Sequence, residues 1–561
     1  MKFGILCNGY VFQRWQAETI LHLIDHGIEP CLLIINDNPI PVQSRFQKWF
    51  HYPYNKLLAR LYFRFIAHPS SKKLLDLSEE LQGFQKIFCR TRQKGFSEYF
   101  NTEDIITIKS SKPDFLLRFG FNILKGEILN VATYGVWSFH HDDEQKYRGV
   151  PPGFWEIVKS DPVNGAILQR LTETLDGGII LRKGYFGTIA HSWSANIDQL
   201  YFGTTLWPLQ VCIDIENGKA SYTDNTPSSA QGKLHIMPGN FNMLLFLAQL
   251  AANKIRFHFR ELFLCEIWNV GLVKTPVQSF LGPDAQRPDP FWLPVAGRGR
   301  YHADAFGFEK DGKINMLVEA YNYREQRGEI SAISFETATL KAQPPKSILE
   351  TGYHLAYPFL FQYKGAWYCM PETANNMSLD IYSYDPETQS LTYLTSLLTG
   401  IAAVDATLCN RNGFWWLFFT KKGNTNTELH IWYSDKIFGT YRPHANNPVK
   451  TDIRSARPAG PLFEHENALY RPSQDCSQTY GGRVSINRIA ELTPTAFNEE
   501  FVSHVTPFGL HIWKTGLHTL CAAGNFTIID GKRHTFVMNA FLHQFKRKTL
   551  RIVRKNAIDL L

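Results

Sequence analysis

The sequence predicts two domains of different class: an α/β domain with a mostly parallel sheet, followed by an all-β five-bladed propeller. Three observations predict it. At 561 residues the chain exceeds what one ordinary hydrophobic core spans. Its first two hundred residues alternate continuous apolar runs with helical periods, the texture of a sheet with helices on its faces. Beyond residue 262 the texture changes to strand-like bursts rich in Phe, Tyr and Trp. These restart about every 50 residues, the scale of a four-stranded blade.

"KFGILC" predicts a buried first strand and "FQRWQAETILHLIDHG" an amphipathic helix ending at Gly27. "PCLLIIND" is a second strand, "SKKLLDLSEELQGF" a helix, and "PDFLLRFGF" and "GVWSFH" are further strands. No G-x-G-x-x-G or Walker-type loop follows the first strand, so no dinucleotide or NTP site is expected. These elements fill a first domain over 1–234, and "NFNMLLFLAQLAANKIRFHFREL" makes 235–262 a helical bridge. Over 263–538, five units share one plan of small or polar residues, a strand, a turn and an aromatic strand. "EKDGK", "YKGA", "NRNG" and "IDGKR" supply four turns, and the unit "ARPAGPLFEHENALYRPSQD" lacks a clear Gly turn. The tail, 539–561, is basic and amphipathic. It either packs back as a terminal helix or makes peripheral contact with an anionic membrane surface.

Composition narrows the partners. Hydrophobic residues at 44% and charged residues at 20% indicate a globular chain, and a net charge of +8 over this length gives no reason to expect nucleic acid. The nine cysteines are scattered with no C-x-x-C, a pattern of reduced thiols that points to the cytoplasm. The N-terminal apolar run is too short for a signal-peptide core, and "FNMLLFLAQLAA" is too short for a membrane span.

The densest chemistry lies in "GVWSFHHDDEQKYRGVPPGFWE", residues 135–156. It delivers His140 to the carboxyl end of a predicted strand, where α/β sheets bind ligands. A metal cluster of His140, His141, Asp142, Asp143 and Asp176, an acid/base site and a polar loop are the three readings. Adjacent residues of an extended segment point oppositely, which argues against His140 and His141 sharing an ion, so no metal is expected. The acid/base reading leads.

With "RFGFNIL" (118–124) and "NGAILQRLTETLDGGIIL" (164–181), the segment forms a spaced set: Gly135, His140, Tyr147-Arg148-Gly149, Gly165 and Leu175-Asp176-Gly177-Gly178. Over residues 90–185 this set resembles the folate-dependent formyltransferase family, which includes glycinamide ribonucleotide, methionyl-tRNA and sugar-amine formyltransferases. The resemblance implies a Rossmann-like domain and 10-formyltetrahydrofolate as formyl donor. It implies His140 as the central proton-transfer group and Asp176 as its orienting carboxylate and relay. It also implies a pterin lying against Asn122, Leu124 and the backbone of Thr172, Glu173 and Thr174. Attack of an amine on a formyl carbonyl creates an oxyanion and an ammonium, and an imidazole can serve either. The chain departs from the family at Ser138, where relatives carry Asn. A rotatable hydroxyl replaces a fixed amide donor, and losing one oxyanion donor costs roughly 3–4 kcal/mol. His141 and Asn122 are the candidates to compensate.

In the propeller, Asp304, Glu319, Glu372 and Asp405 recur at blade-like positions among aromatics, an arrangement suited to sugar hydroxyls and pyranose faces. "SARPAGPLF" and "LYRPSQDCSQTYGGRVSINRI" resemble the glycoside-hydrolase-like module of glucosamine inositolphosphorylceramide transferases, and add Arg471, Gln474 and Asp475 as expected sugar-binding residues. The combined expectation is an N-formyltransferase acting on an amino sugar, nucleotide-linked or part of a polysaccharide precursor, which the propeller binds. The alternatives are catalysis by the propeller carboxylates as a glycosidase or glycosyltransferase-like module, and a degenerate formyltransferase serving as a glycan-binding scaffold. Oligomeric state is not legible.

Overall fold

The computed structural model describes residues 1–39, 54–282, 287–508 and 511–537. The basic tail expected at 539–561 lies outside the described residues. The chain divides into two compact units, Met1–Lys254 and Ile255–Leu561.

The first unit is built on a seven-stranded sheet in the order Ile179–Gly187, Val163–Arg170, Val136–His140, Phe115–Arg118, Lys2–Cys7, Glu29–Asn36, Gln85–Cys89. The last five run parallel and the first two are antiparallel additions at one edge. Alternation along the first strand explains why both faces are covered. Phe3, Ile5 and Cys7 enter one core with Trp15, Ala17, Ile20 and Leu23 of the helix Arg14–Asp25. Leu6 enters the other with Ile105 and Ile108 of the helix Thr102–Ser110.

The helix expected from "SKKLLDLSEELQGF" is not formed. A 3-10 turn, Ser70–Lys72, leads into the strand Leu74–Asp76, which pairs antiparallel with Val11–Gln13. The Asp198 carboxylate accepts the backbone N–H groups of Ser70 and Ser71, fixing that turn. Of its leucines Leu74 and Leu75 are exposed and Leu77 and Leu81 buried, so the segment lacks an apolar stripe long enough to hold a helix down. The expected bridge is the helix Asn240–Phe263. It is no free-standing linker, because Met243 and Phe246 are buried in the first unit's core.

Among the described residues the second unit forms five antiparallel sheets. One joins the unit's start to its end, pairing Leu264–Val273 with Phe526–Phe536 over its full length. The others begin at Arg300–Lys310, Ala356–Tyr363, Ala403–Arg411 and Phe463–His465. A repeated irregularity marks three of them. The first-strand register shifts between Ala303 and Phe306, between Ala356 and Phe359, and between Val404 and Thr407. At these bulges Asp304, Tyr357 and Asp405 adopt positive φ (49°, 43° and 51°). Bulges re-aim side chains, and non-glycine residues held at positive φ mark sites that the surrounding fold over-determines.

The hairpins Asp311-Gly312, Lys364-Gly365 and Asn412-Gly413 turn with both residues at positive φ, as two-residue hairpin turns require. The sheet without a glycine turn uses Glu466-Asn467 in the same conformation. "IDGKR" is not a turn. Gly531 lies inside the strand Phe526–Phe536, where a Cβ would come within 2.4 Å of the Trp292 ring, so close packing explains this glycine.

Candidate functional site

In the first unit the parallel register sets Ser138 beside Arg118, and the two strand ends open on a cleft of about 240 Å³. Arg118, Gly120, Phe121, Ser138 and His140 line it, with Trp15 and Tyr201 across. Gly120 lets the loop cross the first strand's end, since a Cβ there would lie 2.7 Å from the Cys7 backbone. His140 ends its strand half-buried. Its ring hydrogen-bonds the Tyr147 backbone, while Nε2 has no hydrogen-bond partner among the described residues. Burial lowers its pKa, partly offset by the Asp176 charge and the Tyr147 hydrogen bond, which favours the neutral imidazole. Arg118 Nη1 donates to Ser138 Oγ at 2.9 Å and Nη2 to the Phe121 carbonyl at 3.4 Å. Its Nε is buried without a partner among the described residues.

Asp176 stands on a different footing from the expected direct partner of His140. Its Oδ2 accepts from Arg148 Nε at 3.1 Å, and it reaches His140 and Arg118 through its charge. The residue adopts φ 57° in the Asp-Gly-Gly turn, and Arg148 Nη2 donates to the Leu175 carbonyl at 3.2 Å, tying the turn to the "YRG" segment.

The remaining acids of "HHDDE" are engaged internally. Asp142 and Glu156 are a buried carboxyl pair. Burial, followed by the Glu156 charge, raises Asp142 well above its ordinary range, while Asp142 Oδ1 accepts the Gly153 N–H at 3.0 Å. Asp143 and Glu144 both accept from Lys183 Nζ, at 2.8 and 2.9 Å. His141 also lines the cleft, but its ring packs in an aromatic nest of Trp15, Phe139 and Tyr201, and its Nε2 pairs with Thr204 Oγ1 at 3.1 Å. The metal alternative for this segment therefore finds its ligands dispersed.

The expected folate contacts separate from the cleft. Asn122 Nδ2 donates to Glu98 at 2.8 Å, and Leu124 is buried in the core beside Ile128. Thr172 Oγ1 donates to the Gly177 carbonyl, Glu173 accepts the Gly126 N–H, and Thr174 is exposed. None of the five lines the cleft. Neither Asn122 nor His141 takes the part of the missing family Asn, because both side chains are committed elsewhere. Arg118 stands nearest that position. "FLLRFGF" carries it as the one charge in an apolar strand, a signal available from the sequence.

The second unit holds a cleft of about 460 Å³ that gathers Asp304, Glu319, Glu372 and Asp405. Asp405 Oδ2 accepts from Arg457 Nε at 2.5 Å and from Gln474 Nε2 at 2.7 Å, and Glu372 Oε2 accepts the Asp405 N–H. Burial, then the Asp405 charge, raises Glu372 to about 8. Burial, then the Asp304 charge, raises Glu319 well above the ordinary carboxylate range, which favours its protonated form hydrogen-bonded to Asp304. Stacked Tyr301 and Tyr321 (4.9 Å between centroids), Tyr323, Trp268 and Tyr480 add aromatic walls. Arg457 also sits 4.7 Å over the Tyr480 ring. Tyr480 and Arg457 fall within the two stretches that resemble the transferase module, whereas Trp268, Tyr301, Tyr321 and Tyr323 are not singled out by the sequence, because their spacing has no period that would join them.

Behind the cleft, His518 Nδ1 bonds Asp530 at 2.5 Å, and its Nε2 lies 3.4 Å from Asp304. Burial opposes its charge but the two carboxylates raise its pKa. Asp304, His518 and Asp530 are the group among the described residues that could hold a metal ion. Their donor atoms are instead shared among themselves, with Thr519 Oγ1 and the backbone N–H groups of His518 and Thr519 completing the network.

Two expected sugar-binding residues are corrected by their partners. Arg471 is 1% exposed and donates to Glu499 Oε1 and Oε2 and to the Ser455 carbonyl. Asp475 pairs with Arg483 at 2.8 Å. Neither lines the cleft. Gln474 acts one layer beneath it, through Asp405.

The family model of the glucosamine inositolphosphorylceramide transferase 1 N-terminal region matches residues 296–513. A glucosamine inositolphosphorylceramide transferase 1 of Oryza sativa subsp. japonica is 39% identical over 203 residues, covering 35% of this chain and 27% of that one. A methionyl-tRNA formyltransferase of Clostridium perfringens is 34% identical over 82 residues, covering 14% of this chain and 26% of that one. The chain thus spans about a quarter of the length of these curated relatives. Among solved structures, an exo-beta-1,3-galactanase from Clostridium thermocellum aligns at TM-score 0.32 and 12% identity, over 40% of this chain and 53% of that one.

Proposed function

We propose that the chain is a carbohydrate-directed transferase. In this reading the first unit, a Rossmann-like formyltransferase domain, moves a formyl group from 10-formyltetrahydrofolate to the amine of an amino sugar. The second unit, a five-bladed propeller, binds the saccharide. One observation carries the proposal: His140, whose buried Nε2 has no hydrogen-bond partner among the described residues, lines a cleft together with the Arg118–Ser138 pair. The formyltransferase and transferase relatives support the two halves separately. At about 240 Å³ the cleft is below the roughly 300–1,000 Å³ of a whole-ligand pocket, so it suits the formyl-bearing end of a folate.

The folate supplies an activated formyl carbonyl, and the chain's side chains do the rest. His140 Nε2 takes the proton that the attacking amine loses as its C–N bond forms. Arg118 places a positive charge where the carbonyl oxygen turns negative. With a formyl donor bound, His140 would return that proton to the leaving nitrogen as its bond to the formyl carbon breaks. Asp176 favours the transient imidazolium through its charge.

The test follows tetrahydrofolate release from 10-formyltetrahydrofolate in the presence of glucosamine-bearing acceptors. His140→Ala abolishes release and His141→Phe, which keeps an aromatic ring in the core nest, retains it. Release unchanged in His140→Ala overturns the reading.

A second reading, glycoside hydrolysis in the propeller cleft, is favoured by one observation. Glu319 is protonated beside Asp304, and acid/base work uses such pairs of carboxyl groups with ionisations pushed apart.

A further inference from the structure

The carboxylate cleft of the second unit has a neighbour of opposite character. A larger cleft of about 790 Å³ is lined by Arg298, Arg300, Arg324 and Arg533, with no Asp or Glu among its described lining residues. The two clefts share Cys265 and Tyr323 as common wall.

The arginine loop is built rather than draped. Arg300 N–H donates to the Gly297 carbonyl at 3.0 Å, and Tyr323 N–H to the Gly299 carbonyl at 2.9 Å. Tyr323 itself donates from its hydroxyl to the Glu266 carbonyl at 2.6 Å, anchoring this edge to the strand Leu264–Val273. Arg300 stands opposite Asn322 in the ladder, which sets Arg324 two residues on at the same rim. Arg533 places its guanidinium carbon 4.6 Å from the centre of the Trp513 ring, and its Nε is buried without a hydrogen-bond partner among the described residues.

The nearby acids are consumed elsewhere: Glu325 and Glu350 both pair with Arg327, at 3.0 and 2.5 Å. No ion pair is formed by Arg298, Arg300, Arg324 or Arg533 among the described residues. Four guanidinium groups around one concavity, uncompensated, are suited to a phosphate ester, whose oxygens accept forked N–H pairs.

We propose that this cleft binds the phosphate or diphosphate of a phosphorylated saccharide whose sugar ring occupies the adjoining carboxylate cleft. The assignment of the sugar rests on the carbohydrate reading above; the assignment of the phosphate rests on the arginines alone. The shared wall makes the two clefts one bipartite site, acidic where hydroxyls or an amine sit and cationic where the ester charge sits. Specificity then comes from both ends, since a neutral sugar leaves the arginines unpaired.

Calorimetry on the full chain tests it, with glucosamine 1-phosphate, glucosamine, inorganic pyrophosphate, and phosphatidylcholine vesicles containing phosphatidylglycerol. Arg298→Ala/Arg300→Ala is the informative variant, because both side chains are exposed and the fold does not depend on them. The expected result is glucosamine 1-phosphate binding at least about tenfold more tightly than glucosamine, an advantage that shrinks with salt and vanishes in the variant. Equal affinity for the two sugars, or an undiminished advantage in the variant, overturns the proposal. Glucosamine binding with no gain from phosphate sinks the arginine site and leaves the carbohydrate reading standing. Arginine-dependent pyrophosphate binding with no binding of either sugar does the reverse. Vesicle capture without binding of any soluble phosphate assigns the arginines to lipid headgroups and overturns the saccharide phosphate.

Discussion

Arg118 and Ser138, twenty residues apart in sequence, meet across two parallel strands in a 2.9 Å hydrogen bond beside the free Nε2 of His140. The guanidinium is partly buried, and desolvation lowers its pKa against the pull of Glu98 and Asp176. A partly buried cation at a cleft wall is suited to meet a negative charge that appears only during reaction. Arg118→Ala is therefore expected to lower the formyl-transfer kcat by roughly 10²–10³-fold with little change in acceptor KM. Arg118→Lys restores part of the loss. Steady-state kinetics of the three proteins decide it, and an unchanged kcat in Arg118→Ala removes the role.

Glu319→Gln separates binding from hydrolysis in the second unit. Burial and Asp304 keep Glu319 protonated, so an amide of the same shape retains the hydrogen bond to Asp304, and stability and saccharide affinity stay close to wild type. An amide has no proton to give a leaving group. If a glycosidase activity is measured and survives Glu319→Gln, Glu319 is not its acid.

Arg471 is predicted to matter for folding and not for ligand. With Lys450 and Glu499 it forms a buried cluster, and these cations hold the Glu499 carboxyl down at about 2 despite its burial. Arg471→Met leaves the buried Glu499 carboxylate with Lys450 as its remaining cation partner and costs ~3 kcal/mol in denaturant unfolding. The contribution of this carboxylate is present above the ordinary Glu range and is lost only as pH falls toward 2. Saccharide affinity of the folded variant is unchanged; a large affinity loss without destabilisation contradicts the structural role.

The Asp142–Glu156 pair carries the opposite sign. Burial raises Glu156 to about 7, so its contribution is fully present below pH 4.5 and is lost as pH rises through 7. Between pH 5 and 8 the first unit loses stability, and Glu156→Gln flattens that slope. Thermal unfolding of both proteins across this range provides the check, and parallel slopes would remove the pair from the account.

The sequence carried the outline further than the contacts. The runs "KFGILC", "PCLLIIND" and "GVWSFH" are strands because they are buried on both faces, which a continuous apolar run encodes directly. His140 at a strand's carboxyl end followed from that. Its relation to Arg118 did not, because a charge ending an apolar strand reads as its exit to solvent until the neighbouring strand is known. "SKKLLDLSEELQGF" has helical composition, but tertiary pairing with Val11–Gln13 decides its form. Asp304 and Asp405 were legible as repeats, and the bulge that holds them at positive φ explains why they recur. Arg471 and Asp475 were misassigned for a related reason: a polar residue near a repeat motif does not disclose whether its partner is a ligand or, like Glu499 and Arg483, another strand.

The most direct measurement follows the acceptor. Wild-type protein and His140→Gln are incubated with 10-formyltetrahydrofolate labelled at the formyl carbon and a glucosamine-bearing saccharide, and the product is read by mass spectrometry. The account predicts labelled N-formyl product with the wild type and none above background with His140→Gln. Equal product from both proteins, or none from the wild type across a panel of amino-sugar acceptors, contradicts it.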